Sequence, residues 1–130
     1  MINTLKIDHI GIRIRDQKRS VEFYKTLGFK FTRDLGYEDG HPIMMRHPSG
    51  IVLNLLGPSS PDIDENILMD VKEKYAGYTH IALRVDSIED AEQIFQQHNY
   101  PITGRMQFEK MRAIFIRDPD RNVIEFNEYA

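Results

Sequence analysis

The stretch Asp8-His9-Ile10-Gly11-Ile12-Arg13-Ile14 returns 71 residues later as Thr79-His80-Ile81-Ala82-Leu83-Arg84-Val85. A second stretch repeats at the same offset. Arg46-His47-Pro48-Ser49-Gly50-Ile51-Val52-Leu53-Asn54-Leu55 returns as Arg117-Asp118-Pro119-Asp120-Arg121-Asn122-Val123-Ile124-Glu125-Phe126. His9 and His80 are therefore equivalent positions, as are Asn54 and Glu125, with no gap needed between the two ends of the match. A duplicated module arranges equivalent residues about a pseudo-two-fold axis. Two imidazoles and a carboxylate converging on such an axis form a donor set suited to a divalent metal.

Working outward, Ile7 to Arg15 alternates with period two. Ile10, Ile12 and Ile14 take one face; His9, Gly11, Arg13 and Arg15 take the other. That pattern predicts a strand, and His80 to Val85 repeats it in the same phase. Asp16 to Leu27 predicts a helix, with Asp16 as N-cap, Val21, Phe23, Tyr24 and Leu27 at helical spacing, and Gly28 as the stop. Its copy runs from Asp86 or Ser87 to His98, with Asn99 as the stop. Three strands follow in each half: 29–35, 41–47 and 51–56, then 102–106, 111–117 and 122–127. Each half thus reads β-α-β-β-β. The modules span about 5–57 and about 78–130, joined by a linker at 58–77 that contains Pro58 and Pro61 and a candidate helix from Asp64 to Tyr75. In each last strand Asn54 and Glu125 share a phase with Val52 and Val123, opposite Leu53, Leu55, Ile124 and Phe126. If the helix covers the latter face, His9, Asn54, His80 and Glu125 all lie on the other. Polar residues placed symmetrically on a concave face are not how a plain apolar core is built.

Composition sets the outer bounds. The 130 residues suit a single domain, and a half of roughly 50–60 residues is marginal for a separate core. Hydrophobic residues make up 41% and charged residues 28%, the profile of a soluble globular protein. The net charge of −3 and the lack of a basic stripe argue against nucleic acid as partner. There is no cysteine, which excludes disulfides, thiolate ligands and a cysteine nucleophile. No signal-peptide pattern and no long apolar run are seen, so the expectation is a cytoplasmic protein without a membrane span.

The motifs Asp8-His9-Ile10-Gly11-Ile12, Phe23-Tyr24-Lys25-Thr26-Leu27-Gly28-Phe29, Thr79-His80-Ile81-Ala82 and Arg117-Asp118-Pro119-Asp120-Arg121-Asn122-Val123-Ile124-Glu125 occur in order over nearly the whole chain. In them the sequence resembles the vicinal-oxygen-chelate superfamily, also called the glyoxalase/bleomycin-resistance/extradiol-dioxygenase superfamily. The resemblance implies an α+β fold of tandem βαβββ modules, a curved half-barrel sheet with helices on the outer face. It implies a divalent metal (Ni, Zn, Mn, Co or Fe(II)) held by His9, His80 and Glu125, with Asn54 as a candidate fourth ligand and Glu125 also as catalytic base. It implies a small-molecule substrate and a homodimer. The activity implied is lyase or isomerase chemistry through chelation of an oxygen-rich substrate.

Asn54 departs from the pattern of glyoxalase I, which commonly has a carboxylate here. An amide oxygen is a weak neutral ligand and no base at pH 7. Methylmalonyl-CoA epimerases carry a glutamine at this place, and extradiol dioxygenases use two His and one Glu. A ring-cleaving dioxygenase is therefore one alternative. A metal-free drug-binding protein, with the polar trio hydrogen-bonded in its pocket, is another. Arg13 and Arg84 are candidates to hold a substrate carboxylate or phosphate; the other reading makes them solvent-facing charges at the rim. His41, His47 and His98 read as turn or helix-end residues, and Asp118-Pro119-Asp120 as a turn.

Overall fold

The computed structural model describes residues 1–60 and 64–130, so Pro61 of the expected linker lies outside the described residues. The chain folds as two compact units, Met1–Ile63 and Asp64–Ala130.

The first unit runs β1 (Ile10–Arg13), α1 (Gln17–Thr26), β2 (Lys30–Asp34), β3 (Ile43–Arg46) and β4 (Val52–Leu56). Its sheet has the order β1-β4-β3-β2, with β1 parallel to β4 and the other pairs antiparallel. The second unit repeats this as β5 (His80–Arg84), α2 (Ile88–Gln97), β6 (Gly104–Gln107), β7 (Met111–Arg117) and β8 (Val123–Tyr129). Its order is β5-β8-β7-β6, again with one parallel pair, β5 and β8. Each unit is the expected βαβββ module, and together they make the α+β architecture.

The duplication reaches the turn chemistry. The Asp16 side chain caps α1 by accepting from Arg19 N at 2.9 Å; Ser87, its equivalent, caps α2 by accepting from Asp90 N at 3.1 Å. After α1 the chain turns left-handed at Gly28 (φ 98°), and after α2 at Asn99 (φ 58°). Both stops use residues that tolerate that region. The β3–β4 turn is closed by His47 Nδ1 accepting from Ser49 N at 3.1 Å. The β7–β8 turn is closed by Asp118 Oδ1 accepting from Asp120 N at 2.9 Å. Two unlike side chains thus do the same work at equivalent positions, and Asp118-Pro119-Asp120 is a turn as expected.

The first unit's core is Ile14, Phe23, Tyr24, Phe29, Ile43, Met45, Leu53 and Leu55. Tyr24 stands edge-on to Phe23 and Phe29, with centroids 5.1 and 5.9 Å apart. In the second unit Ile88, Phe95, Ile114, Ile116, Ile124 and Phe126 are buried, and the Phe95 and Phe126 rings lie 4.9 Å apart. Arg112 ties α2 to the sheet, donating to Glu89 Oε1 at 2.7 Å and to Glu128 Oε2 at 2.6 Å. Glu128 Oε1 in turn accepts from Ile88 N at 3.1 Å, which satisfies a free amide at the helix start.

One expectation fails. No helix forms among the described residues from Asp64 to Tyr75; a turn at 67–70 stands in its place. Asn66 Oδ1 takes the amides of Leu68 and Met69, and Asp70 Oδ2 takes that of Asn66. Short polar side chains that capture nearby amides compete with helical hydrogen bonds, which overrides the helical spacing of the apolar residues.

The Asn99 stop is open to test. Asn99→Ala forces a β-carbon residue without a polar tip into the left-handed region and should cost about 1 kcal/mol, while Asn99→Gly should be neutral or stabilising. Urea unfolding of the three proteins checks the order; equal stability of the alanine and glycine forms would contradict it.

Candidate functional site

The strand register decides what each face carries. In the parallel pair, His80 lies beside Val123, Ala82 beside Glu125 and Arg84 beside Asn127. Across the antiparallel pair, Phe115 lies beside Glu125 and Arg117 beside Val123. Side chains alternate, so His80, Ala82, Arg84, Val123, Glu125, Asn127, Phe115 and Arg117 share one face. Ile124, Phe126, Ile114 and Ile116 take the other, where Phe126 meets Phe95 of α2. The helix thus covers the apolar face and leaves His80 and Glu125 on the opposite one.

Those two side chains approach each other without bonding. His80 Nε2 is 3.8 Å from Glu125 Oε1, too far for a hydrogen bond. Their other polar atoms are engaged. His80 Nδ1 lies 2.8 Å from Thr79 Oγ1, and Glu125 Oε2 accepts from Asn127 Nδ2 at 2.9 Å. The Glu125 side chain is 16% exposed and that of His80 37%. An ion at about 2.0–2.2 Å from each donor fits between atoms up to about 4 Å apart. Metal-binding histidines characteristically have their second ring nitrogen tied in this way. The donor pair therefore fits a divalent cation.

In the first unit His9 falls one residue before β1 and is half exposed. Its Nδ1 is 2.6 Å from Asp8 Oδ1, and the imidazole holds the Asp8 carboxyl below its ordinary range. The carboxylate occupies Nδ1 and leaves Nε2 as the free ring nitrogen. Asp8 and Thr79 are themselves equivalent at the 71-residue offset, so both histidines are tied at Nδ1 by the preceding side chain. Asn54 lies beside Gly11 on β1 and Met44 on β3, and its Oδ1 is buried with no hydrogen-bond partner. Leaving such an oxygen unsatisfied costs about 1–3 kcal/mol, and it stands at the position equivalent to Glu125. Within neither unit do three or more His, Asp or Glu side chains gather among the described residues.

The two arginines differ. Arg13 donates Nη1 to the Pro58 carbonyl at 2.7 Å. Arg84 is stacked over the Tyr129 ring, 4.6 Å from its centroid, on the face of His80 and Glu125. His47 serves its turn.

A feature invisible in the sequence holds the segment before β5. Arg117 makes a two-pronged bond to Asp70, at 2.8 and 2.9 Å, and Asn66 Nδ2 donates to the Arg121 carbonyl at 3.2 Å. Asp70 and Arg117 are 47 positions apart, so no local pattern announces the pair. Asn127 was visible, being two residues beyond Glu125 and in its phase, yet nothing in the sequence singled it out.

The chain belongs to the Glyoxalase/Bleomycin resistance protein/Dioxygenase superfamily, whose family model matches residues 6–126. A lactoylglutathione lyase of Schizosaccharomyces pombe is similar at 25% identity, covering 98% of this chain; the chain spans 46% of that enzyme's length. The crystal structure of a glyoxalase/dioxygenase from Nostoc punctiforme is similar at a TM-score of 0.76 and 19% identity, covering 100% of this chain and 99% of that one. TnmS3, an antibiotic-binding protein from Streptomyces, is similar at a TM-score of 0.72 and 20% identity, covering both chains completely. The structural likenesses bear on the fold. No described helix is long and apolar enough to cross a membrane.

The Asp70 clamp generates a pH prediction. Arg117 holds the Asp70 carboxyl down at about 2, against an ordinary value of 3.8. A depressed acid stabilises the fold above its unfolded value and loses that contribution as pH falls toward the folded one. Asp70→Asn should therefore cost roughly 1–2 kcal/mol at pH 6, after discounting for solvent screening. The difference from the native protein should shrink between pH 4 and pH 2 (about the two values just given). Urea unfolding across that range checks it; a gap that does not narrow would refute the assignment.

Proposed function

We propose that this chain is a divalent-metal-dependent enzyme with lyase or isomerase chemistry on a small, oxygen-rich substrate. The observation that carries this reading is the unbridged gap of 3.8 Å between His80 Nε2 and Glu125 Oε1, with the outer atom of each side chain already tied. His80 and Glu125 supply two ligands. His9 supplies a third through its free Nε2, on its equivalence with His80, and Asn54 offers its unsatisfied Oδ1 as a neutral fourth. A bound divalent cation would act as a Lewis acid, stabilising negative charge on adjacent substrate oxygens.

The chain's own part is positioning and proton movement. With His9 and His80 committed to the ion through Nε2 and engaged at Nδ1, Glu125, the one carboxylate of the four, is the residue left to accept a proton at neutral pH. The Asn54 amide cannot. Phe115 lies beside Glu125 in the register, and its ring stands edge-on to His80, with centroids 6.4 Å apart, so it supplies the apolar neighbour of the pair. Arg84, held by Tyr129 on the same face, is the candidate to anchor an anionic group of the substrate, and Arg13 has that role in the first unit if it leaves the Pro58 carbonyl. The similarity to a lactoylglutathione lyase supports this class. Asn54, where the glyoxalase I pattern commonly has a carboxylate, is the point at which the chain departs from it.

Elemental analysis after purification, followed by metal titration, tests the reading. Uptake of Ni, Co, Mn or Zn supports it. Fe(II) with oxygen uptake on catechols would move the chain to ring-cleaving chemistry, and failure to bind any of these ions would favour a metal-free small-molecule binding protein.

Mutations give a finer test. Glu125→Gln should abolish turnover more completely than Asn54→Ala, because an amide supplies neither charge nor proton transfer. Equal losses of activity and metal in the two variants would make Asn54 a full ligand. The native protein should show little isomerisation of the methylglyoxal–glutathione hemithioacetal. Asn54→Glu should bind the divalent ion more tightly, since it adds a negative charge in a partly dehydrated place. A hemithioacetal assay with added Ni or Zn, run on both forms, decides; rapid turnover by the native chain would show that the amide is no obstacle.

A further inference from the structure

Asn127 has a one-sided hydrogen-bond pattern that a purely structural amide would avoid. It is 8% exposed and lies on the face of the second sheet that carries His80 and Glu125. Its Nδ2 donates to Glu125 Oε2 at 2.9 Å, while its Oδ1 is buried without a partner. Burying half an amide unsatisfied costs stability, and an apolar side chain would escape that cost. The repeat supplies the comparison. The position equivalent to Asn127 in the first unit is Leu56, and the position equivalent to Glu125 is Asn54. The amide two residues on thus occurs in the unit whose last strand carries the carboxylate, and a leucine serves where it does not.

We propose that Asn127 is a positioning residue that sets the rotation of the Glu125 carboxylate. This rests on the metal-site reading above. The terminal torsion of a glutamate is broad and roughly two-fold, so an untethered carboxylate samples many orientations. The bond from Nδ2 occupies Oε2 and turns Oε1 toward His80 Nε2. Glu125 then presents one free oxygen to a cation, with its direction fixed before the ion arrives. The unsatisfied Oδ1 is the stability given up for this arrangement. It persists because no donor among the described residues lies within hydrogen-bond reach of Oδ1 while Nδ2 is held at the carboxylate.

The test compares the native full chain with Asn127→Val, Asn127→Ala and His80→Ala. Valine is preferred to leucine because Ala82 stands where the first unit has Gly11. A β-carbon at Gly11 would already come within 3.3 Å of Leu56 Cδ1. Titration calorimetry with Zn2+ alone is the main readout, repeated with Ni2+, Mn2+, Co2+ and Fe2+ under anaerobic conditions, and the metal-free Tm is the control. Asn127→Val should bind Zn2+ about 10-fold to 100-fold more weakly than the native chain. Its metal-free Tm should stay within about 5 °C of native, since losing one bond is offset by removing one orphan. His80→Ala should lose binding more severely. Unchanged affinity in Asn127→Val, beside a native chain that binds, would overturn the inference and leave the metal reading standing. Loss of the fold in both Asn127 variants would show a structural amide and would also overturn it. A native chain that takes up none of the five ions would sink the metal reading itself, and this inference with it.

Discussion

The parallel pairing of β5 with β8 is the constraint on which the second unit's site depends. A βαβββ module returns its last strand beside its first, and the register sets Ala82 against Glu125. His80 and Glu125 then sit on neighbouring strands, offset by two residues. With strands about 4.8 Å apart and a two-residue rise of about 6.6 Å, their backbones are roughly 8 Å apart at these positions. That is far enough to keep the side chains from clashing and near enough for their tips to approach to 3.8 Å. A slip of one residue would send Glu125 to the helix-covered face, where Ile124 and Phe126 are buried. The apolar packing of Phe126 against Phe95 therefore fixes the site's polar geometry from the other side of the sheet.

Much of this was legible in the sequence, for physical reasons that can be named. Alternation along His80 to Val85 and Asn122 to Asn127 assigns faces, since a strand has no other period. Asp16 and Ser87 announce the helix starts, and Gly28 and Asn99 the ends, because few residues suit those backbone positions. What was not legible depends on side chains meeting across many residues. Arg117 finds Asp70 across 47 positions, and Asn66 commits its Oδ1 to its own turn, which defeats the helix expected from Asp64 to Tyr75. The sequence also offers no sign that Asn54 Oδ1 would be buried and unsatisfied, for that depends on what surrounds it.

The two units share a backbone plan, and their differences are chemical. Asp8 and Thr79 both hold an imidazole at Nδ1, but one does so as a carboxylate and the other as a hydroxyl. His9 and His80 are therefore equivalent in place and differ in the charge of the partner at Nδ1. Likewise, Glu125 and its amide neighbour stand opposite Asn54 and Leu56 in the repeat. Charge and its support are concentrated in the second unit, while the first carries a neutral oxygen and an apolar neighbour. Duplication alone would give the same residue at both last-strand positions.

That asymmetry bears on chemistry. A carboxylate at a last-strand position can accept a proton at neutral pH, and an amide cannot. In the reading proposed above, Glu125 is the one carboxylate of the four, and Asn54 supplies no second base. If Asn54 joined a bound cation, as proposed, its amide would place one negative charge fewer beside the ion than a carboxylate would. The ion's field would then be less neutralised and would polarise substrate oxygens more strongly, while the ion itself would be held less tightly. On that reading Asn54 would shift the balance from holding the ion toward activating what the ion touches.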